Sequence, residues 1–371
     1  MEKNREKGIV RVSIVGIAGN ILLVAIKATI GFLANSISII SDAINNLTDA
    51  LSSLITIVGT KLSNKRPNKK HPYGYGRVEY ITSVVIGLLI FVAGFTAIYE
   101  SINSIIDYFQ NGTMSDYSDI SFIIISVAIV IKFTIAIFYR IKSKKYESDV
   151  LKASSTDALF DVLLSISTLV GAIVSRFTGF FIEGYLGILI GLFIIKSGVE
   201  VIASSVSSVI GSRTDEQLTA QIKKEIQSID KVKGVYDLIL NNYGPNNYIG
   251  SVHVGVDSDL TANEIQSLER TISGLMYLKH NIIITVGIYT ENPDSELAGK
   301  IKKEVMSIIQ RNKNILQLHG FYLSEERKIC NFDLVYSFDE KDPNVSIKEI
   351  TAELKEKFTD IFFIINLDRD Y

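Results

Sequence analysis

Two long apolar runs carry acidic and amide side chains at helical spacing: Asp42, Asn45 and Asp49 in the first, Asp157 and Asp161 in the second. Asn45 and Asp49 are four residues apart, as are Asp157 and Asp161. On a helix each pair therefore shares one face, a turn apart. Ionisable groups inside hydrocarbon are costly and read as functional by default. Two helices facing each other would converge Asn45, Asp49, Asp157 and Asp161 into an oxygen-lined pocket. Three uncompensated carboxylates in such a pocket are stable only when protonated or bound to a cation. The competing reading is capping or hydrogen bonding within a helix bundle. It would serve for one lone aspartate and serves poorly for two spaced pairs on separate segments. Asp42 lies one turn earlier, where a structural or access role competes with ligation. Lys27 and Lys132 also fall within apolar runs. A protonated amine cannot ligate a metal, so snorkelling or pairing with an acidic residue is expected for both.

The elements that must position these groups are membrane spans. Crossing roughly 30 Å of hydrocarbon takes about 20 mostly apolar residues. Six stretches qualify, at 10–33, 36–61, 80–105, 119–141, 150–176 and 180–208. The second and fifth are the least apolar because they carry the acidic residues. The polar start Met1 to Lys7 leads into a segment too long for a signal sequence, so the first span is expected to be retained. Basic residues cluster in the N-terminal tail (Lys3, Arg5, Lys7, Arg11), in the second-to-third loop (Lys61, Lys65, Arg66, Lys69, Lys70, Arg77) and in the fourth-to-fifth loop (Arg140, Lys142, Lys144, Lys145). The remaining loops are almost free of them. Those basic segments, and both termini, are therefore expected on the cytoplasmic side of a cell membrane.

After Gly211 the pattern becomes that of a water-soluble protein. A helix at 215–229, strands at 232–242 and 247–256, a helix at 261–278 and a strand at 281–290 give the order α-β-β-α-β. The order recurs with helix 296–311, strands 315–324 and 328–337, helix 346–358 and strand 361–367. Lys223-Lys224-Glu225 in the first helix is echoed by Lys302-Lys303-Glu304 in the second copy. The expected organisation is a six-helix transport domain over 8–210, an α+β domain of ferredoxin-like order over 211–292, and a second α+β module over 293–371 that repeats it, joined through Pro293. The alternative is one larger domain.

Several classes are excluded. A formal net charge of −2 argues against nucleic acid as a partner. The single cysteine, Cys330, rules out internal disulfides and a thiolate cluster. No Gly-rich Lys-Ser/Thr loop is present for nucleotide-driven transport. The tail is expected to lack a clustered His, Cys or acidic constellation, so an enzyme is not expected, nor a cofactor.

The stretch Ser36 to Asp49, the stretch Ser154 to Asp161, and His71-Pro72-Tyr73-Gly74-Tyr75-Gly76-Arg77-Val78-Glu79 together resemble the cation diffusion facilitator family over about residues 8–290. The resemblance implies a homodimer in the lipid bilayer that exports a divalent metal from the cytoplasm in exchange for protons. It also implies that Asn45, Asp49, Asp157 and Asp161 are the metal ligands. Zinc members resemble a set containing imidazole. Here all four histidines, His71, His253, His280 and His319, lie outside the spans. Carboxylate and carbonyl oxygens suit Mn²⁺, whereas imidazole suits Zn²⁺. The set is similar to that of bacterial manganese exporters, so Mn²⁺ is the expected substrate, with Fe²⁺ or Zn²⁺ as alternatives. His71 and His253 stand at positions that bind accessory metal in zinc members, but their usual companions are replaced by residues such as Tyr75 and Tyr236. A membrane-bound metal sensor is the competing reading from another class; whether purified protein in vesicles moves metal by itself separates the two.

Overall fold

The computed structural model describes residues 2–33, 37–111, 119–178, 181–245, 247–290 and 295–369. The chain divides into two compact units, an N-terminal helical unit and a C-terminal α+β unit.

The helical unit holds α1 (Glu2–Leu33), α2 (Ile37–Ser63), α3 (Val78–Asn111), α4 (Asp119–Tyr146), α5 (Asp149–Thr178) and α6 (Glu183–Ile210). Among the described residues five of them, all but α2, are long and apolar enough to cross a membrane. The sixth, α2, runs 27 residues but carries Asn46, Thr48, Asp49, Ser52, Ser53, Thr56 and Thr60. Several helices outlast their apolar windows; α3, expected to end near 105, continues to Asn111. Intrahelical hydrogen bonds continue unchanged where the chain leaves hydrocarbon, so hydropathy marks the membrane crossing rather than the helix end. The helices pair α1 with α2, α3 with α6 and α4 with α5. Glycine makes the α3–α6 contact close. A Cβ at Gly94 would stand 2.9 Å from the Ile195 amide nitrogen, and one at Gly198 would stand 2.8 Å from that of Phe91. Small residues at such contacts let helix backbones approach where lipid supplies no hydrophobic drive. The opposite faces leave Phe95, Val130, Phe133, Leu189 and Phe193 exposed.

The C-terminal unit runs α7 (Glu216–Gln227), β1 (Gly234–Asn242), β2 (Tyr248–Val256), α8 (Ala262–His280), β3 (Ile282–Thr290), α9 (Glu296–Ile309), β4 (Ile315–Ser324), β5 (Ile329–Tyr336), α10 (Pro343–Lys357) and β6 (Phe362–Arg369). It contains two three-stranded mixed sheets, β1-β2-β3 and β4-β5-β6, each with one antiparallel and one parallel pair. Helix starts follow their caps: Asp215, Ser295 and Asp342 accept backbone N–H bonds, and Thr261 forms a reciprocal capping box with Glu264. α10 begins at Pro343, three residues before the expected start, because Asp342 caps it and proline suits the first helical position. Ile222, Ile226, Leu268, Ile272 and Met276 from α7 and α8 share a core with Val252, Val254 and Ile282. Ile301, Val305, Ile350 and Leu354 form the corresponding core with Phe332, Leu334 and Phe363. The two sheets also share an irregularity. The β1–β2 register steps from Tyr236–His253 to Ile239–Ser251, and the β4–β5 register from His319–Asp333 to Tyr322–Asn331. Each bulge carries a residue at positive φ, Asp237 at 50° and Gly320 at 61°. The joining segment around Pro293 lies outside the described residues.

Candidate metal centre

Asp49 on α2 and Asp161 on α5 are brought together by a residue from a third helix. The Lys132 ammonium on α4 donates to Asp49 Oδ2 and, at 2.7 Å, to Asp161 Oδ2. The lysine side chain is 7% exposed. Asp157 lies one turn from Asp161 on α5, within the field of Asp161, Asp49 and Lys132. Lys27 on α1 is also buried, and its charge reaches Asp49. The side chains of Asn45 and Asp42 lie outside the described residues; both positions fall on α2.

Hydroxyl contacts fix the three helices around this cluster. Ser53 Oγ and Tyr139 Oη, 3.1 Å apart, join α2 to α4. Thr56 Oγ1 and Ser154 Oγ, 3.3 Å apart, join α2 to α5, and Ser155 Oγ donates to the Ala136 carbonyl at 3.1 Å to join α5 to α4. Ser53, Thr56, Ser154 and Ser155 are buried. In an apolar surrounding such bonds satisfy groups that would otherwise be costly, and they fix the helix registers that align Asp49 with Asp161. A further clasp ties helix ends. The Arg5 guanidinium grips the fully buried Glu79 carboxylate at 2.8 and 2.9 Å and donates to the carbonyls of Tyr146 and Glu147.

The expected pairing of Lys132 with an acidic residue is found, but sequence reading missed that it engages two proposed ligands. Residues 83 and 29 positions away are its partners, and helical periodicity carries no signal for that. Three carboxylates exceed the ammonium groups of Lys132 and the more distant Lys27, so the ionised cluster stays short of positive charge. It can accept a cation or protons, and it offers oxygen donors only.

The four histidines lie elsewhere. His71 packs on Tyr75 in the α2–α3 loop, and His280 Nε2 lies 2.8 Å from Glu225 Oε2. One expectation is corrected here: the tail does assemble a His and acidic constellation. His253, His319, Asp237, Asp333 and Asp368 come together from five strand positions spread over more than a hundred residues. Burial would lower the His319 imidazole, but Asp237 and Asp333 outweigh it and hold it up at about 9. Burial and the neighbouring Asp237 push Asp368 up to about 6.

Half-buried carboxylates within a unit of long apolar helices point to an ion pathway. Comparison with known proteins gives the family. Residues 13–210 match the cation efflux transmembrane domain, and residues 214–291 match the cation efflux protein cytoplasmic domain, ZT_dimer. The chain belongs to the cation efflux, or cation diffusion facilitator, family and is a multi-pass membrane transporter of divalent cations, not an enzyme. It is 32% identical to an uncharacterized transporter of Methanocaldococcus jannaschii over 72% of this chain and 93% of that one. It is 27% identical to the manganese efflux system protein MneS of Bacillus subtilis over 73% and 91%. It is 23% identical to the cadmium, cobalt and zinc/H⁺-K⁺ antiporter of the same organism over 80% and 94%. Residues 292–371 lie beyond both matched domains.

Proposed function

We propose that the chain exports Mn²⁺ from the cytoplasm in exchange for protons, as a homodimer, with Asn45, Asp49, Asp157 and Asp161 as the ligands of the transported ion. The observation that carries this reading is the donor set: the half-buried cluster around Lys132 is made of carboxylates, and every histidine lies outside the six helices. Hard oxygen donors favour Mn²⁺ over ions that prefer imidazole or thiolate. Similarity to a manganese efflux protein supports the same ion, although the cadmium, cobalt and zinc antiporter is similar to a comparable degree. Dimerisation is supported by the match to ZT_dimer. Basic loops at 61–77 and 140–145 support α2 as a sixth span and both termini in the cytoplasm.

Lys132 gives this reading a mechanism. Without metal its ammonium is the resident counter-ion of Asp49 and Asp161. An incoming divalent ion takes those oxygens and displaces the ammonium; protons arriving from outside then neutralise the carboxylates and help the ion leave. In this scheme the lysine keeps the pocket from holding its cargo too tightly.

Proteoliposomes loaded with a panel of divalent ions provide the test. Mn²⁺ movement should be driven by an opposing proton gradient and should carry protons the other way. Asp49→Ala, Asp157→Ala or Asp161→Ala should abolish it with expression retained. Preference for Zn²⁺ over Mn²⁺ in competition, or transport that moves no protons, would overturn the proposal.

A further inference from the structure

The His and acidic cluster of the C-terminal unit is built from matched positions of the two sheets. Bulge register pairs Tyr236 with His253 in one sheet and His319 with Asp333 in the other. Tyr289, opposite Gly255, corresponds to Asp368, opposite Val335. In the second sheet a metal-binding side chain stands at all three positions. His253 and Asp333 alternate with the core residues Val252, Val254, Phe332 and Leu334, so both point away from the helices.

His319 lies at the centre and is 5% exposed. Its Nε2 is 2.8 Å from Asp237 Oδ1 and 3.5 Å from Asp368 Oδ2, and its Nδ1 is 3.6 Å from Asp333 Oδ2. Neither ring nitrogen has a partner in hydrogen-bonding geometry. A buried imidazole that only paired with these aspartates would direct an N–H along at least one contact. Asp237 and Asp368 both flank Nε2, the nitrogen that would face an ion; two ligands each about 2.1 Å from one metal stand roughly 3 to 4 Å apart, so an ion there needs Asp237 to move outward by only a few tenths of an ångström. Donor atoms of Asp237, His319 and Asp333 all lie within 4.8 Å of one another.

The carboxylates are held from behind. Asp237 Oδ2 lies 2.9 Å from His253 Nδ1 and 3.0 Å from Tyr289 Oη, whose single proton is shared between Asp237 and Asp333. Asp333 accepts from Tyr289 Oη at 2.7 Å and from Asn366 Nδ2 at 2.6 Å. Such outer contacts orient metal ligands. Gly320 leaves the space: a Cβ there would stand 2.7 Å from Asp333 Oδ2.

The geometry points to a divalent-cation site between the two sheets, with Asp237, His319 and Asp333 as ligands, Asp368 beside them, and His253, Tyr289 and Asn366 as positioning residues. His319, Asp333 and Asp368 lie beyond both matched family domains, so the site depends on the second sheet. One imidazole among carboxylates suits first-row ions such as Mn²⁺, Fe²⁺, Co²⁺ or Zn²⁺ over Ca²⁺ and Mg²⁺. A bound ion would cross-link the two sheets and stabilise the folded unit by linkage. The site is independent of which ion the membrane carboxylates carry.

The test uses the full chain in detergent with Mn²⁺ alone. In protein carrying Asp49→Ala and Asp157→Ala, equilibrium dialysis should find about one Mn²⁺ retained per chain. Electron spin-echo modulation should detect imidazole nitrogen coupled to that ion, a signal the membrane carboxylates cannot supply. His319→Gln in the same background should remove the coupling and the bound ion. Asn366→Leu, which removes the donor to Asp333 and leaves the ligands in place, should weaken binding roughly 10- to 100-fold. No retained Mn²⁺, retained Mn²⁺ without nitrogen coupling, or coupling that survives His319→Gln would each overturn the assignment. The coupling measurement on protein with an intact cluster stands even if His319→Gln fails to fold.

Discussion

Among the half-buried carboxylates of α2 and α5, Lys132 carries a positive charge that cannot ligate a metal. Its amine contacts Asp49 and Asp161 at once, so any cation using those oxygens must compete with it. A charge interaction across a few ångströms at a protein's effective dielectric is worth about 1–4 kcal/mol. Lys132→Gln is therefore expected to tighten Mn²⁺ binding by roughly tenfold or more while slowing turnover, because release loses its competitor. Binding measured by calorimetry and transport measured in vesicles should move in opposite directions. Weaker binding together with slower transport would make the lysine a positioning residue for the pocket instead. The neighbouring hydroxyl contacts, Ser53 with Tyr139 and Thr56 with Ser154, were not legible beforehand. Serine and threonine are common in membrane helices, and nothing in their local spacing says which partner lies across the interface.

At the scale of elements, the α3–α6 contact and helix α8 give opposite expectations for adding a methyl group at glycine. Gly198→Ala drives a Cβ to 2.8 Å from the Phe91 backbone, and overpacking of this kind costs about 1–3 kcal/mol. Gly274, within α8, has nothing within 4 Å of a Cβ. Gly274→Ala should therefore stabilise by about 0.5–1 kcal/mol through helix propensity. Thermal unfolding of the two variants in detergent checks the opposed signs. The α7–α8 contact adds a pH dependence. Partial burial would raise Glu225, but hydrogen bonds from Lys279, His280 and Gln221 outweigh it and hold the carboxyl at about 2. A depressed carboxyl contributes stability that is fully present above its ordinary value of 4.5 and is lost as pH falls through about 2. Glu225→Gln should flatten that part of the acid-unfolding curve of the C-terminal unit. Hydrogen exchange in α7 as a function of pH would read it directly, and an unchanged acid limb would show that the contact contributes nothing.

For the whole molecule, the question is how far the C-terminal unit and the membrane pocket act separately. All the carboxylates proposed to carry the ion lie on α2 and α5, and the first sheet has a buried core of its own. Deleting residues 295–371 is expected to preserve Mn²⁺ binding at the membrane pocket and dimer formation in detergent, and to eliminate any imidazole-coupled Mn²⁺ signal. A folded, dimeric truncation that no longer binds metal in the membrane would show that the second sheet takes part in that pocket. The two sheets share strand order and bulge, and His319, Asp333 and Asp368 stand at the register positions that Tyr236, His253 and Tyr289 hold in the first sheet.

Sequence alone determined the apolar spans, the α-β-β-α-β order in both halves of the tail, and the two i,i+4 pairs of the membrane helices. Hydropathy, periodicity and caps act over a few residues, so each leaves its mark locally. Even the start of α10 was written in Asp342-Pro343, once read as a cap and a first helical proline. Tertiary structure alone decided which distant groups meet. Lys132 reaches Asp49 across 83 positions, Arg5 reaches Glu79 across 74, and His319 meets Asp237 from the other sheet. His253, the tail histidine at a family ligand position, and His319, from the other sheet, both contact Asp237. A buried charge must find a compensating partner, but chain topology, not local pattern, determines which one is within reach.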